Sequence, residues 1–453
     1  MRKQVDLLNG PIFPTLTGLA LPIMATSLVQ MAYNLTDMAW VGRVGSPAVA
    51  AVGSAGMYTW LSQGVMMLPK MGGQIKVAHS LGEGRKEEAV RYAQGSLQLG
   101  ILFAVLFSVA ALSLCRPLIS FFGLNDPNTV ESAVIYMKIT CGMILFSYLN
   151  GIFTGLFTAK GDSRTPFLAN VLGLGTNMIL DPLLILGIGP FPRLEVAGAA
   201  IATVSSQILV FVVMVLRIRH SRLKPNVLQH LNLLSVFPKE YYKHIFRIGF
   251  PTAIQGSIYC FISMVLTRMV SGYGAAAIAT QRVGGQIESV SWNTADGFAS
   301  ALNAFIAQNY GAQKKDRIRK GYSLSFRVLT IWGLFVTAAF VFLPEPIARL
   351  FFHEKEALDT AVNYLIIIGF SEVFMSIELM TVGALSGLGR TRLSSTISVI
   401  LTGSRIPLAL ILTHAGMGLN GVWWALTISS IVKGIVFTLT FRHISRRLPE
   451  KVS

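Results

Sequence analysis

The chain has 453 residues, of which 53% are hydrophobic and only 13% charged. A soluble protein carries about 25% charged residues to keep its surface wet, so a set of ordinary globular domains is excluded and much of this surface faces lipid. The formal net charge of +17 does not point to nucleic acid, because the basic residues alternate with long apolar runs instead of forming one surface. Three cysteines, Cys115, Cys141 and Cys260, are too few and too scattered for a disulfide framework or a zinc site.

The first apolar stretch follows Arg2, Lys3 and Asp6 and is too long for a signal-peptide core, with no small-residue cleavage site after it. It is expected to stay in the mature protein as a first span. A spanning helix needs about 20 mainly apolar residues. Such runs lie near 14–41, 48–79, 91–117, 130–159, 164–188 and 195–218. Residues 217–247 then break the pattern, being basic, proline-containing and only patchily apolar, which fits a linker with a short surface helix. Further runs lie near 246–271, 277–309, 321–343, 357–386, 393–415 and 419–441.

The expected fold is an all-α polytopic membrane protein of twelve transmembrane helices in two six-helix bundles. Its N-terminal lobe is 1–220, its cytoplasmic linker 221–245 and its C-terminal lobe 246–453. With both termini in the cytoplasm, the inside loops collect roughly 25 Lys and Arg and the outside loops roughly 5, the bias of a protein in the cytoplasmic (inner) membrane. That bias accounts for the positive charge without an anionic partner.

The two halves overlay on each other. The register that lays Pro22 on Pro251 also lays Gly45 on Gly274, Gln74 on Asn303, Gly82 on Gly311 and Arg85-Lys86 on Lys314-Lys315. After a slip of a few positions, Arg164-Thr165 matches Arg390-Thr391 and Pro182 matches Pro407. Because each copy holds an even number of spans, both enter the membrane from the same side, and alternating access between two parallel repeats is the mechanism this architecture suggests.

Acids inside spans need a reason, since each is disfavoured by about 2.5–3.5 kcal/mol on the insertion scale. Asp37 shares one face of the first span with Tyr33 and Gln30, with Asn34 beside them. Asp181 shares a face of the fifth span with Asn177 and Asn170. Both aspartates fall in the outer half of helices that start on the same side, so they are expected to meet in the first lobe. Two carboxylates in a low-dielectric pocket cannot both ionise comfortably, so the pair can hold a proton at physiological pH. Tyr33, Asn150, Asn177 and Thr203, with Gln207 one turn further along, are expected to supply hydrogen bonds. For Asn150 and Thr203 taken singly, a role as interhelical glue is an equal alternative. In the register of the repeat Asp37 falls on Leu266 and Tyr33 on Ile262, so these groups belong to the work of the first lobe rather than to the common fold.

The second half carries Glu288, Asp296, Glu372, Glu378 and Arg405 inside its spans. Glu378 or Glu288 is expected to pair with Arg405 or Arg282, and a second cation site is the sharper alternative. Lys70 and Lys138 are also awkward, with snorkelling or pairing as their accounts. Pro22, Pro182, Pro251 and Pro407 sit inside spans and are expected to bend them; Pro182 directly follows Asp181. Gln30, Met31, Asn34, Met178 and Gln207 are candidates for lining a substrate cavity, since 17 Met and 27 Phe favour a pliable apolar one.

The pattern resembles the multidrug and toxic compound extrusion (MATE) family of the MOP superfamily. The resemblance runs over the whole chain and rests on the paired segments GGQIKVAHSLGEGRKEEA and ALNAFIAQNYGAQKKDRI, and on AKGDSRTP and GLGRTRLS. TNMILDPLLI is similar to the DinF-like branch, in which aspartates of helices 1 and 5 form a cation site. Carried onto this sequence, that site is Tyr33, Asp37, Asn150, Asn177, Asp181 and Thr203. The NorM-like branch instead carries a glutamate on helix 7, where this chain has no acid.

What the resemblance implies is a V-shaped central cavity and export of cationic amphipathic compounds, antibiotics among them, in exchange for H⁺ or Na⁺. The expected partners are small-molecule substrates and membrane lipid, with no nucleic acid, no cofactor beyond the coupling ion, and a monomeric chain. A flippase for lipid or lipid-linked precursors from the same superfamily is the alternative. A major-facilitator carrier is disfavoured because SLGEGRKEEA lacks that family's GxxxDRxGRR run. A receptor or scaffold would not need acids buried in one lobe. An enzyme is not expected, because no nucleophile has a base at useful spacing.

Overall fold

The computed structural model describes residues 5–447 apart from 123, 125, 221–227, 230, 233–237 and 353, and every regular element among the described residues is helical. Most of the expected linker therefore lies outside the described residues. The first half holds α1 (Ile12–Gly42), α2 (Ser46–Gly82), α3 (Lys86–Ser113), α4 (Cys115–Ser120), α5 (Pro127–Gly142), α6 (Ile144–Ala159), α7 (Arg164–Leu186) and α8 (Glu195–Arg219). The second holds α9 (Lys239–Ser271), α10 (Ala275–Gly311), α11 (Lys315–Phe342), α12 (Pro344–Arg349), α13 (Lys355–Gly369), α14 (Glu372–Gly387), α15 (Thr391–Gly403), α16 (Arg405–Leu412), a π-helical turn (Thr413–Met417) and α17 (Gly418–Arg446).

Seven helical stretches are long and apolar enough to cross a membrane, or nine when the bent pairs α5 with α6 (45°) and α13 with α14 (50°) each count as one span. The expected spans near 130–159 and 357–386 are thus each broken into two helices, at Met143 and at Phe370-Ser371. One of the seven, Thr391–Arg446, has 56 residues, enough at about 1.5 Å per residue for two crossings of a core about 30 Å thick. The two remaining expected spans are α2 and α10, each of 37 residues. They fall short in composition rather than length. Small and amide residues among them, Gly72, Gly73, Gln74 and Asn303, are buried against other parts of the protein.

The stripes that face outward are apolar. On α3, Leu102, Leu106 and Val109 are 50%, 56% and 58% exposed; on α11, Ile331 and Phe335, the counterparts of Leu102 and Leu106 in the repeat, are 69% and 65% exposed. In water such a stripe would forfeit about 25 cal/mol per Å²; against acyl chains it forfeits nothing.

The internal repeat is present in the element limits. The register that lays Pro22 on Pro251 carries both ends of α2, α3 and α4 onto those of α10, α11 and α12. The turns repeat as well. Gly45 and Gly274 precede α2 and α10 with φ of 135° and 101°. Gly84, at φ 78°, is matched by Gln313 at φ 56°, a left-handed backbone that costs an L side chain about 1–2 kcal/mol.

Two compact units emerge, one made of Met1–Val5 and Ala25–Ala253, the other of Asp6–Met24 and Ile254–Ser453. The divisions fall inside α1 and α9, at matching positions of the repeat just past Pro22 and Pro251. The missing N–H and the ring clash of proline weaken a helix at such a point. The lobes 1–220 and 246–453 follow the count of helices, whereas compactness assigns the first turns of α1 to the second unit.

Hydrogen bonds fix that assignment. Asn309 Nδ2 donates to the Leu7 carbonyl at 2.9 Å, Arg317 Nη2 to the Leu7 and Gly10 carbonyls at 3.2 and 2.8 Å, and Lys314 Nζ to the Leu8 carbonyl at 3.0 Å. Asp6 caps the turn from inside by accepting from the N–H groups of Leu8 and Asn9. Partial burial pulls its carboxyl up, but those two bonds and the Arg317 charge hold it below the usual carboxylate range. In the first unit the early turns of α9 pack on α2 through glycine. A Cβ on Gly249 would stand 2.0 Å from the Leu68 carbonyl oxygen, and one on Gly72 would stand 2.3 Å from that of Ile245.

Candidate functional site

Four helices of the first unit converge on Asp37 and Asp181. The later part of α1 carries Tyr33 and Asp37 one turn apart, α7 carries Asn177 and Asp181 one turn apart, α8 brings Thr203, and α5 brings Tyr136. The carboxyls of Asp37 and Asp181 adjoin each other. Asp181 and Asn177 are both 0% exposed. Among the described residues no donor meets Asp37 Oδ1 or either oxygen of Asp181, and neither side-chain atom of the Asn177 amide has a partner. Buried polar groups are nearly always satisfied, so this concentration of unsatisfied ones is a departure that needs a chemical reason.

Around the pair, Tyr33 and Thr203 share a hydrogen bond of 3.4 Å. The Tyr33 hydroxyl also lies close enough to feel the charge of both aspartates. Tyr136, 8% exposed, reaches the same point with its hydroxyl beside Thr203, Asp37 and Asp181. Nothing in the sequence singles out Tyr136. It is one tyrosine in an otherwise ordinary span, and only its helical spacing from the buried Ala133 and Val134 hints at an inward face. Pro182 removes the N–H that would bond the Met178 carbonyl one turn earlier, adding a further oxygen without its helical donor on this stretch of α7.

Asn150 takes the interhelical role, one of its two expected alternatives. Its Nδ2 donates to the Gln207 carbonyl at 2.8 Å and to Gln207 Oε1 at 2.9 Å, so its amide ties α6 to α8 rather than serving the carboxylates, while its Oδ1 has no partner. Gln30 Nε2 donates to Asn34 Oδ1 at 3.1 Å along the same helix, and Asn34 is exposed. Met31 and Met178 are half-buried.

In the second unit the expected pairing of Glu378 or Glu288 with Arg405 or Arg282 is corrected. Glu378 Oε1 accepts from Lys433 Nζ at 2.7 Å, and both side chains are buried. Arg405 donates to Ser429 Oγ at 3.3 Å and Ser430 Oγ at 3.0 Å. Glu288 Oε2 accepts from the Tyr364 hydroxyl at 3.3 Å. The physical reason is reach: a lysine in the middle of α17 cannot snorkel to either surface and so takes the nearest carboxylate.

The first-unit cluster offers oxygens only, a donor set for a proton or a hard monovalent ion rather than for a transition metal. Among the described residues no group of three or more His, Cys, Asp or Glu side chains is placed to hold a metal. Tyr and Thr hydroxyls can turn to donate to a carboxylate or to accept from a carboxylic acid, so the shell accommodates either protonation state.

Comparison with known proteins gives this arrangement a context. The MatE family model matches residues 22–183 and 251–411, one match in each half. A probable multidrug resistance protein NorM of Thermotoga maritima is 28% identical over 437 residues, 94% of this chain and 91% of that protein. An FAD transporter of Shewanella oneidensis is 26% identical over 440 residues, 96% of this chain and 95% of that one. A MOP superfamily transporter from Pyrococcus furiosus superposes with a TM-score of 0.90 at 24% identity, covering 99% of both chains. With a family match in each repeat and the same all-helical fold, this chain belongs to the MatE family of multi-pass membrane transporters.

Proposed function

We propose that this protein is a multidrug antiporter that exports cationic amphipathic compounds by alternating access, driven by a cation entering through Asp37 and Asp181. The reading rests on one observation above all: two carboxyls that adjoin each other with no other donor on Asp37 Oδ1 or on either Asp181 oxygen. Carboxyl groups in that relation are held together by a shared proton and pushed apart when both ionise. A proton is therefore the coupling cation favoured here, with Na⁺ as the competitor. The NorM and YoeA relatives are named for multidrug resistance, which supports the substrate class.

In the mechanism, the site open to the outside takes up a proton, the two carboxyls close on each other, and α1 or α7 shifts about Pro22 or Pro182. The drug leaves as the site's charge is neutralised. Release of the proton to the cytoplasm restores the charge; the distribution of Lys and Arg supports that side as the one holding both termini.

The test is ethidium efflux from proteoliposomes, driven separately by a pH gradient and by a Na⁺ gradient. The pH gradient is expected to drive efflux in the wild type. Asp37→Asn and Asp181→Asn are expected to fall to the level of protein-free liposomes while still purifying as folded protein. Efflux of FAD in place of ethidium would instead move the substrate assignment towards the Shewanella relative, and wild-type efflux in both variants would remove the pair from the mechanism.

A further inference from the structure

Arg405 opens α16 just past the break at Ser404 and is 8% exposed. A cation inside a span is disfavoured by about 2.5–3.5 kcal/mol on the insertion scale, and the usual remedy is a carboxylate. Lys433 takes that remedy by closing on Glu378. Arg405 does not. Its Nε donates to Ser429 Oγ at 3.3 Å and its Nη2 to Ser430 Oγ at 3.0 Å, and among the described residues no carboxylate stands in ion-pair contact with it. Ser429 gives its own proton to the Leu401 carbonyl at 2.7 Å, so it meets the guanidinium as an acceptor only. The third nitrogen, Nη1, has no partner among the described residues. Glu288 acts on Arg405 from a distance, with its Oε2 engaged by the Tyr364 hydroxyl.

The helix face that leads to Arg405 is polar as well as buried. Thr391, Ser394, Ser398 and Thr402 follow one another along α15 at helical spacing, all of them buried, and the Ser398 hydroxyl has no partner among the described residues. Tyr259 of α9 brings its hydroxyl close enough to feel the Arg405 charge. The repeat requires none of this. In the register that lays Pro182 on Pro407, the positions of Ser394, Ser398 and Arg405 hold Ala169, Gly173 and Leu180. In the same register Asp181 falls on Ile406, beside Arg405. Matched stretches of the two halves, each directly ahead of a proline, therefore carry opposite charges.

We infer that Arg405 is an anchor for a carboxylate, a specificity-determining residue of the second unit that selects amphipathic compounds carrying a carboxylate beside their cationic group. The inference rests on the reading of this chain as an exporter of amphipathic compounds and narrows their class. A planar guanidinium presents parallel N–H groups that match the two oxygens of a carboxylate, which a lysine cannot do. The Tyr259 hydroxyl can donate to the same group. Serine hydroxyls hold the guanidinium in place without neutralising it, so its charge is kept for the ligand. With Lys433 already on Glu378, the nearest buried acid on α14 does not compete for it.

The experiment is equilibrium binding of two fluorescent dyes to the purified full-length protein, read by anisotropy: rhodamine B, which has a free carboxylate beside its cationic ring system, and its ethyl ester, which has none. The wild type is expected to hold rhodamine B more tightly than the ester. Arg405→Gln is expected to weaken rhodamine B by roughly tenfold or more, the worth of a charge-assisted hydrogen bond, and to leave the ester unchanged. Equal affinity of the wild type for the two dyes overturns the inference, as does an equal loss of both in Arg405→Gln. If Arg405→Gln does not accumulate as folded protein, Arg405→Lys decides the matter: it keeps the charge without the fork, so weaker binding of rhodamine B alone supports the anchor and unchanged binding overturns it. Asp181→Asn is expected to keep the preference for rhodamine B, and its loss there would place the anchor in the first unit and overturn the inference. Because equilibrium binding needs no ion gradient, failure here is distinguishable from failure of the proposed transport mechanism.

Discussion

In the second unit Lys433 closes on Glu378 at 2.7 Å and Arg405 lies between two serine hydroxyls, whereas in the first unit Asp37 and Asp181 face each other and no Lys or Arg among the described residues acts on either. The same helix course, repeated in both halves, therefore carries two treatments of buried charge. A counter-charged acid is fixed: its proton state is set by its partner and its removal leaves an orphan. Acids left to each other can change state, which is what a transport cycle requires.

Lys433→Met strands Glu378 in a buried site and is expected to lower stability by about 3–5 kcal/mol, with most of it recovered in the double variant that also carries Glu378→Leu. Asp181→Asn should leave the melting temperature in detergent unchanged or raise it, since it relieves like-charge crowding. Equal destabilisation by Lys433→Met and Asp181→Asn would erase the distinction between the units.

A smaller difference is expected at matched positions of the repeat. A Cβ on Gly383 would stand 2.5 Å from the Ala299 carbonyl oxygen, while one on Gly155, its counterpart in the first half, would meet the end of the Gln74 side chain at 3.1 Å. Backbone cannot move aside and a glutamine can, so Gly383→Ala is expected to cost about 1–3 kcal/mol and Gly155→Ala clearly less. Thermal melting of the two variants side by side reads the difference.

The smallest effect concerns the turns after α2 and α10. Gln313→Gly places in the second turn the residue the first already has and is expected to stabilise by up to about 1 kcal/mol by releasing left-handed strain. Gly84→Gln should destabilise by a similar amount. The reverse signs would show that the two turns are not equivalent.

Much of this was legible in the sequence because the repeat is written in residues that permit little variation. Pro22 and Pro251 mark the places where the units divide, and Gly45 and Gly274 mark the turns. Asp37 and Asp181 stand out because an acid in a span is too costly to persist there unless it pairs or works. What stayed hidden depends on tertiary direction. Tyr136 looks like any aromatic in a span until α5 is packed against α8. The sequence offers arginines as partners for Glu378, and nothing in it singles out Lys433, well inside α17. The breaks at Met143 and Phe370 have no proline or glycine pair to announce them, only Gly142 and Gly369 beside them.

The central claim is that the Asp37–Asp181 pair carries the coupling proton. Its most direct test is proton movement in proteoliposomes loaded with a pH-sensitive dye, with an ethidium gradient as the only driving force. The wild type is expected to move protons against the direction of ethidium, and Asp181→Asn to move none above protein-free liposomes. Proton movement of wild-type size in Asp181→Asn would contradict it, as would its absence in a wild type that transports ethidium.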